Sequence, residues 1–275
     1  MKIPQRFNVV PAYLANLLRP LLPAPSLAEL LGFLTQPGKA KRAHRFILRT
    51  ENDECHIKVF FREFPQQPLW YPKGYRWVDF CQTVDELFNE KNWHHFLSPR
   101  FSISKSDVVV DCGAAEGLFT FYASIQGAKV FAFEPDAGFV DGMNRTFAGL
   151  KGVCIHHCAL GHKTGTALLS RNEIFSRITG ESDGIEVPIN TLDKILDGEK
   201  VTFIKADVEG YEFRVVLGAE NLIRENCPKL ALTVYHPQNN VEEIKDFLKE
   251  CDARYQFATK GIFDNGHPVM FHAWV

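Results

Sequence analysis

The pattern of apolar and polar positions changes character near residue 100. Beyond it, short apolar runs alternate with stretches of helical periodicity. The runs at residues 108–112, 129–134, 152–157, 201–206 and 229–235 carry few polar interruptions, as strands covered on both faces do. Residues 118–125, 138–147, 191–196, 212–224 and 241–251 instead space their apolar side chains as helices with one buried face do. Two further strands, 255–259 and 268–275, flank Asp264-Asn265-Gly266, a turn signal that brings the last strand back antiparallel. Strand–helix alternation with short links predicts an α/β fold, a mostly parallel sheet with right-handed crossovers and helices on both faces. Residues 166–170 and 185–190 read as additional short strands, separated by a polar insert over 171–184 of a length that suits a functional loop.

The first hundred residues lack this rhythm and are rich in proline and aromatics. Ser26 reads as the N-cap of a helix over 26–34. Residues 44–50 and 55–61 alternate about a polar turn at 51–54, which predicts a β-hairpin. Thr83 followed by Glu86 reads as the capping box that starts a helix over 83–89. The chain thus divides into a smaller α+β N-terminal extension, 1–100, suited to substrate recognition or oligomerisation, and a main domain, 101–275. Trp70, Tyr71, Tyr75 and Trp77 suit either a sugar-stacking wall or, better, the packing of the extension on that domain.

Composition narrows the functional classes. Hydrophobic residues make up 45% and charged residues 23%, enough apolar material for a full core. The formal net charge of −2 provides no basic field for nucleic acid or anionic lipid, and no base-flipping signature is present. A small-molecule substrate and no nucleic acid are expected, and a homo-oligomer is compatible with the sequence. The seven cysteines are odd in number and irregular in spacing, which suits free thiols in a reducing, cytoplasmic setting. No apolar run reaches the roughly 18 residues of a transmembrane helix. The apolar stretch 9–22 is broken by Pro11 and Pro20 and lacks a signal-peptide pattern, which leaves at most a peripheral membrane contact there.

Candidate chemistry gathers at the C-terminal ends of the predicted strands. Asp111-Cys112-Gly113-Ala114-Ala115-Glu116-Gly117 follows an apolar strand and opens a helix. Gly113 permits a sharp turn and close approach to a ligand, Gly117 lets the helix start near it, and Ala114 and Ala115 keep the pocket open. The middle glycine of the dinucleotide fingerprint is missing. Asp111, two residues before the first glycine, suits a ligand bearing ammonium and sulfonium groups, as S-adenosylmethionine does. Glu134, with Pro135, ends the next strand, where a carboxylate can accept hydrogen bonds from ribose hydroxyls. Cys158, Ala159 and Leu160 are placed beside adenine. Cys154, His156, His157 and Cys158 are metal-ligand types, but strand alternation separates His157 from the rest, and no metal site is expected. Asp207 ends the fourth strand and is the first choice for a site acid; Lys205 points into the sheet unless it reaches the cleft, and suits either steadying a carboxylate such as Asp207 or snorkelling near the strand end. Glu209 and Glu212 follow, and His236, ending the fifth strand, is placed to accept a proton near neutral pH. A cation site built from Asp207, Glu209, Glu212 and His236 is chemically conceivable, but nothing in the spacing demands one. Arg171, Asn172, Ser176 and Arg177 on the polar insert suit either substrate contact or a solvated loop.

Taken in order, the 111–117 loop, Phe133-Glu134-Pro135, Ala159-Leu160, Thr191-Leu192-Asp193, and Lys205-Ala206-Asp207-Val208-Glu209-Gly210-Tyr211-Glu212 resemble the FkbM-type methyltransferases, as does Val216-Leu217-Gly218-Ala219. The resemblance covers residues 107–275. It implies the class I methyltransferase fold, a Rossmann-like seven-stranded mostly parallel sheet, here with the N-terminal extension added. It also implies S-adenosylmethionine as cofactor and methyl transfer to an oxygen of a sugar or other small molecule. Asp207, His236 and Glu209 are then the expected catalytic groups. Ala115 departs from the family's usual Asn, so one contact to the methionine end is either lost or supplied by Glu116. A nucleotide-cofactor oxidoreductase, or a non-catalytic module binding S-adenosylmethionine or S-adenosylhomocysteine, are the alternatives.

Overall fold

The structure, a computed structural model, describes residues 5–18, 25–170, 177–179 and 184–275. The N-terminal part holds α1 (Val9–Leu18), α2 (Leu27–Thr35), α3 (Lys39–Ala43), β1 (Ile47–Asn52), β2 (His56–Phe61), β3 (Leu69–Pro72) and α4 (Trp77–Phe88). Strands β1–β3 form an antiparallel sheet, the expected hairpin plus one strand that the short, proline-ended run 69–72 did not announce. Ser26 caps α2 in a full capping box with Glu29. Thr83 does not start a helix. It lies inside α4, its hydroxyl donating to Phe80 O at 3.0 Å. That helix begins at Trp77 because Phe80, Cys81, Val84 and Leu87 form one buried stripe.

The rest of the chain follows as β4 (Val108–Cys112), α5 (Leu118–Ile125), β5 (Lys129–Phe133), α6 (Ala137–Thr146), β6 (Val153–His156), β7 (Ala159–Leu160), β8 (Gly165–Ser170), β9 (Arg177–Thr179) and β10 (Ile185–Asn190). It continues with α7 (Leu192–Ile195), β11 (Phe203–Ala206), α8 (Glu212–Leu217), α9 (Glu220–Asn226), β12 (Lys229–Thr233), α10 (Val241–Cys251), β13 (Gln256–Lys260) and β14 (Met270–Trp274). Seven strands run in the order β13-β14-β12-β11-β4-β5-β6, parallel except for β14, which is antiparallel to both its neighbours. The single helix expected over 212–224 is two. Gly218 breaks it where a Cβ would lie 2.0 Å from Gly161 O, so the chain pinches against the neighbouring loop. A second, four-stranded sheet, β7-β10-β8-β9, was foreseen only in its two longer strands. Arg171, Asn172 and Ser176 lie outside the described residues.

Alternation along the strands splits the core in two. Val109, Val130 and Ala132 face a cluster shared with α5, α6 and the N-terminal Phe61, Tyr71 and Phe80. Val110, Cys112, Phe131 and Phe133 face one built with α8, α9 and α10. The N-terminal part therefore packs on one face of the main sheet. Tyr75 stacks on Phe139 of α6 with centroids 4.1 Å apart and donates its hydroxyl to Asp136. The aromatics of residues 70–77 thus serve packing. Among the described residues, no helix is long and apolar enough to cross a membrane.

Candidate active site

At the end of β4 the chain turns against its neighbours. The amides of Gly113 and Ala114 both donate to Phe133 O at 3.0 Å. Gly113 has φ 71°, and a Cβ there would lie 2.0 Å from the Asp207 carbonyl oxygen, so only glycine lets the two strand ends come this close. Ala115 is left-handed at φ 47°, and its amide donates to Glu134 Oε2 at 2.7 Å. Glu134 Oε1 accepts the Asp136 amide at 2.8 Å. Two amides thus fix this carboxylate, and burial pushes it up to about 7. The His157 ring lies with Nε2 3.0 Å from Pro135 O, against the same turn.

These groups open on a cleft of about 1050 Å³, its mouth included. Gly113, Ala114, Ala115 and Glu116 form one wall; Glu134, Pro135, Cys158, Ala159 and Leu160 form the end beside it. Lys205, Asp207, Val208 and Glu209 line the opposite end. The remaining wall comes from the N-terminal part, with Thr83, Glu86, Leu87 and Phe96. Strand C-terminal ends line the crevice, as open α/β sheets require.

Three expected site residues stand away from the cleft lining. Asp111 is fully buried beneath the loop, held by Lys205 Nζ at 2.9 Å and the Thr120 hydroxyl at 2.7 Å. The β4–β11 register sets Lys205 opposite Asp111, which is why Lys205 pairs there rather than with Asp207. Gly117, at φ 80°, serves packing: a Cβ would meet Met143 Cγ at 2.6 Å. His236 stands behind Glu209, with Nε2 3.0 Å from Glu209 Oε2. The other residues expected to be catalytic or to bind the cofactor all line the cleft, whereas Glu212 is not part of its lining.

The electrostatics follow from burial. Glu86 is driven up to about 8 by burial and by the charge of Asp207, and Glu116 by burial up to about 7, against a hydrogen bond from Thr83. Burial opposes charge on His236, but Glu209, Glu212 and Asp207 outweigh it and raise the imidazole. Glu212, itself raised by burial, accepts from the Val208 amide at 2.9 Å, the Thr233 hydroxyl at 3.0 Å and Asn239 at 2.5 Å. It braces the Asp207–Gly210 turn. Thr233 also donates to Asp207 at 3.0 Å. Sequence reasoning missed Thr83, Glu86, Leu87 and Phe96. The Thr83–Glu86 spacing was visible but fits a cap as well as a helix face aimed at a ligand.

The sheet order, with a carboxylate-held loop at the end of β4, defines a class I methyltransferase fold. The family profile described as "Methyltransferase FkbM domain" matches residues 111–255, and the chain belongs to this family. S-adenosylmethionine is accordingly its cofactor. Among solved structures, methyltransferase FkbM from Methylobacillus flagellatus KT is similar with TM-score 0.51 and 17% identity, over 97% of this chain and 59% of that one. The chain thus spans about three-fifths of that protein's length. A Streptococcus mutans protein solved in complex with SAH gives TM-score 0.41 and 15% identity, over 62% of this chain and 90% of that one. A TehB-like SAM-dependent methyltransferase from Corynebacterium glutamicum gives 0.37 and 14%, over 64% and 83%. Comparison with curated proteins returns no match.

Proposed function

We propose that the protein transfers the methyl group of S-adenosylmethionine to a hydroxyl oxygen of a small molecule such as a sugar. One observation carries this reading: a single cleft joins an amide-fixed carboxylate, Glu134, to the carboxylates of Asp207 and Glu209 at its other end. Glu134 would accept the ribose hydroxyls, and the buried Cys158–Leu160 wall would lie against adenine. When bound, the cofactor supplies a methyl carbon activated by sulfonium, so the protein's task is mainly orientation. A hydroxyl acceptor must also lose its proton. Glu209 lines the cleft at φ 55°, a strained backbone conformation for a non-glycine residue, and is backed by His236. Glu209 would take the proton, with His236 holding its carboxylate in place from behind and Asp207 orienting the reacting groups.

Calorimetry with S-adenosylmethionine, followed by mass spectrometry of metabolite extracts incubated with protein and cofactor, tests the reading. Cofactor binding and a methylated hydroxyl compound are expected. Glu209→Gln should retain cofactor affinity and lower turnover about a hundredfold or more. No cofactor binding at millimolar concentration, or methylation confined to nitrogen, would reject it.

A further inference from the structure

The cleft carries more carboxylate than its basic groups balance. Glu86, Glu116, Glu134, Asp207 and Glu209 line it, against Lys205 alone among the lysines and arginines of the described residues. Lys205 is already committed, to Asp111 at 2.9 Å and to Gly113 O at 2.7 Å. Glu86 is 7% exposed, and among the described residues its carboxylate takes one hydrogen bond, from Gln82 Nε2 at 2.8 Å. His94 Nδ1 lies 3.8 Å from Glu86 Oε1, but burial holds that imidazole down to about 4, so it is neutral near pH 7. The other charged or titratable groups around Glu86 are Asp207 after β11, Tyr235 after β12, Asp85 on its own helix, and Lys39 of α3, whose ammonium donates to Gln82 at 2.5 Å. A buried carboxyl with one hydrogen bond, beside the Asp207 carboxylate and facing a ligand cleft, can ionise readily only if a ligand brings a cation to it.

We propose that Glu86 and Asp207 together receive the ammonium group at the methionine end of S-adenosylmethionine, so that helix α4 of the N-terminal extension completes the cofactor site. This rests on the methyltransferase reading above. It gives the extension a defined part in binding and explains why α4 lies along the cleft. Near neutral pH the free Glu86 carboxyl is mostly protonated. On binding, its O–H bond breaks, the proton passes to buffer, and the carboxylate left behind pairs with the ligand's ammonium.

The test is calorimetry at neutral pH in buffers of different ionisation enthalpy, with two probes. S-adenosylhomocysteine carries the amino-acid end; methylthioadenosine keeps the adenosine thioether without it. Any proton released at Glu134 is common to both probes, so the difference isolates the amino-acid end. S-adenosylhomocysteine should release close to one proton more than methylthioadenosine. Glu86→Gln should remove that excess and weaken S-adenosylhomocysteine roughly tenfold or more, while leaving methylthioadenosine unchanged. An unaltered excess and affinity in Glu86→Gln overturns this inference alone. If Glu86→Gln fails to fold, Asp207→Asn serves: removing the neighbouring charge lowers Glu86, so the excess must shrink, and an unchanged excess is equally fatal. If neither probe binds the wild-type protein, the methyltransferase reading fails and takes this inference with it.

Discussion

At the scale of single residues, the clearest tension in the site is Ala115. Its φ of 47° costs an L-residue roughly 1–2 kcal/mol, yet its amide must face Glu134 for the carboxylate to be fixed. Asn tolerates this region better than Ala does, which gives a physical reason for the Asn that the FkbM pattern usually has here. Ala115→Gly should stabilise the ligand-free protein by about 0.5–1 kcal/mol, the relief of strain being partly offset by the looser unfolded chain. Urea unfolding of the two proteins measures it; a destabilised variant would mean that the loop relaxes the strain elsewhere.

At the scale of elements, the strand ends of β4 and β11 hold one another through a buried pair. Asp111 is wholly buried and Lys205 is 5% exposed. Burial works against the lysine's charge, but Asp111 and Asp207 outweigh it and raise its pKa. Lys205→Met should destabilise the protein by about 3–5 kcal/mol, because it strands the Asp111 carboxylate, and Asp111→Asn in addition should recover much of the loss. Thermal melts of the single and double variants check both halves. The pair also shows what the sequence could and could not disclose. The strands of the seven-stranded sheet were legible along the chain, because apolar runs and glycine turns are local signals. The partner of Lys205 was not, because it depends on the β4–β11 register, a relation between positions 94 residues apart. Helix α4 was half legible for the same reason. Its residues were seen, but nothing local distinguishes a helix face aimed at a cleft from a capped helix start.

At the scale of the molecule, the cleft makes the ligand-free fold sensitive to pH in a definite direction. Glu86, Glu116 and Glu134 sit at about 8, 7 and 7 in the folded protein, against an ordinary value of 4.5. Between those limits the folded state keeps protons that the unfolded chain has lost, so stability falls as pH rises and levels off above about 8. His236, also raised, acts in the same direction. His94 and His272 act oppositely. Burial holds both down to about 4, so they favour folding as pH rises, but only up to their ordinary value of 6.5. Lys260, lowered by burial to about 8, begins to favour folding only above that pH. The window from 6.5 to about 8 therefore isolates the carboxyls and His236. There the unfolding free energy should decline with pH, by at most about 1.4 kcal/mol per pH unit for each whole proton retained. Glu86→Gln should make the decline shallower, by nearly one proton's worth at the lower end of the window and by about half of that near pH 8, where Glu86 itself ionises. Saturating S-adenosylhomocysteine should flatten it further, because a bound ammonium draws the Glu86 proton off before unfolding begins. Chemical denaturation across this window, with and without that ligand, is the measurement. A stability that rises with pH there would mean that the cleft carboxylates are already charged in the empty protein.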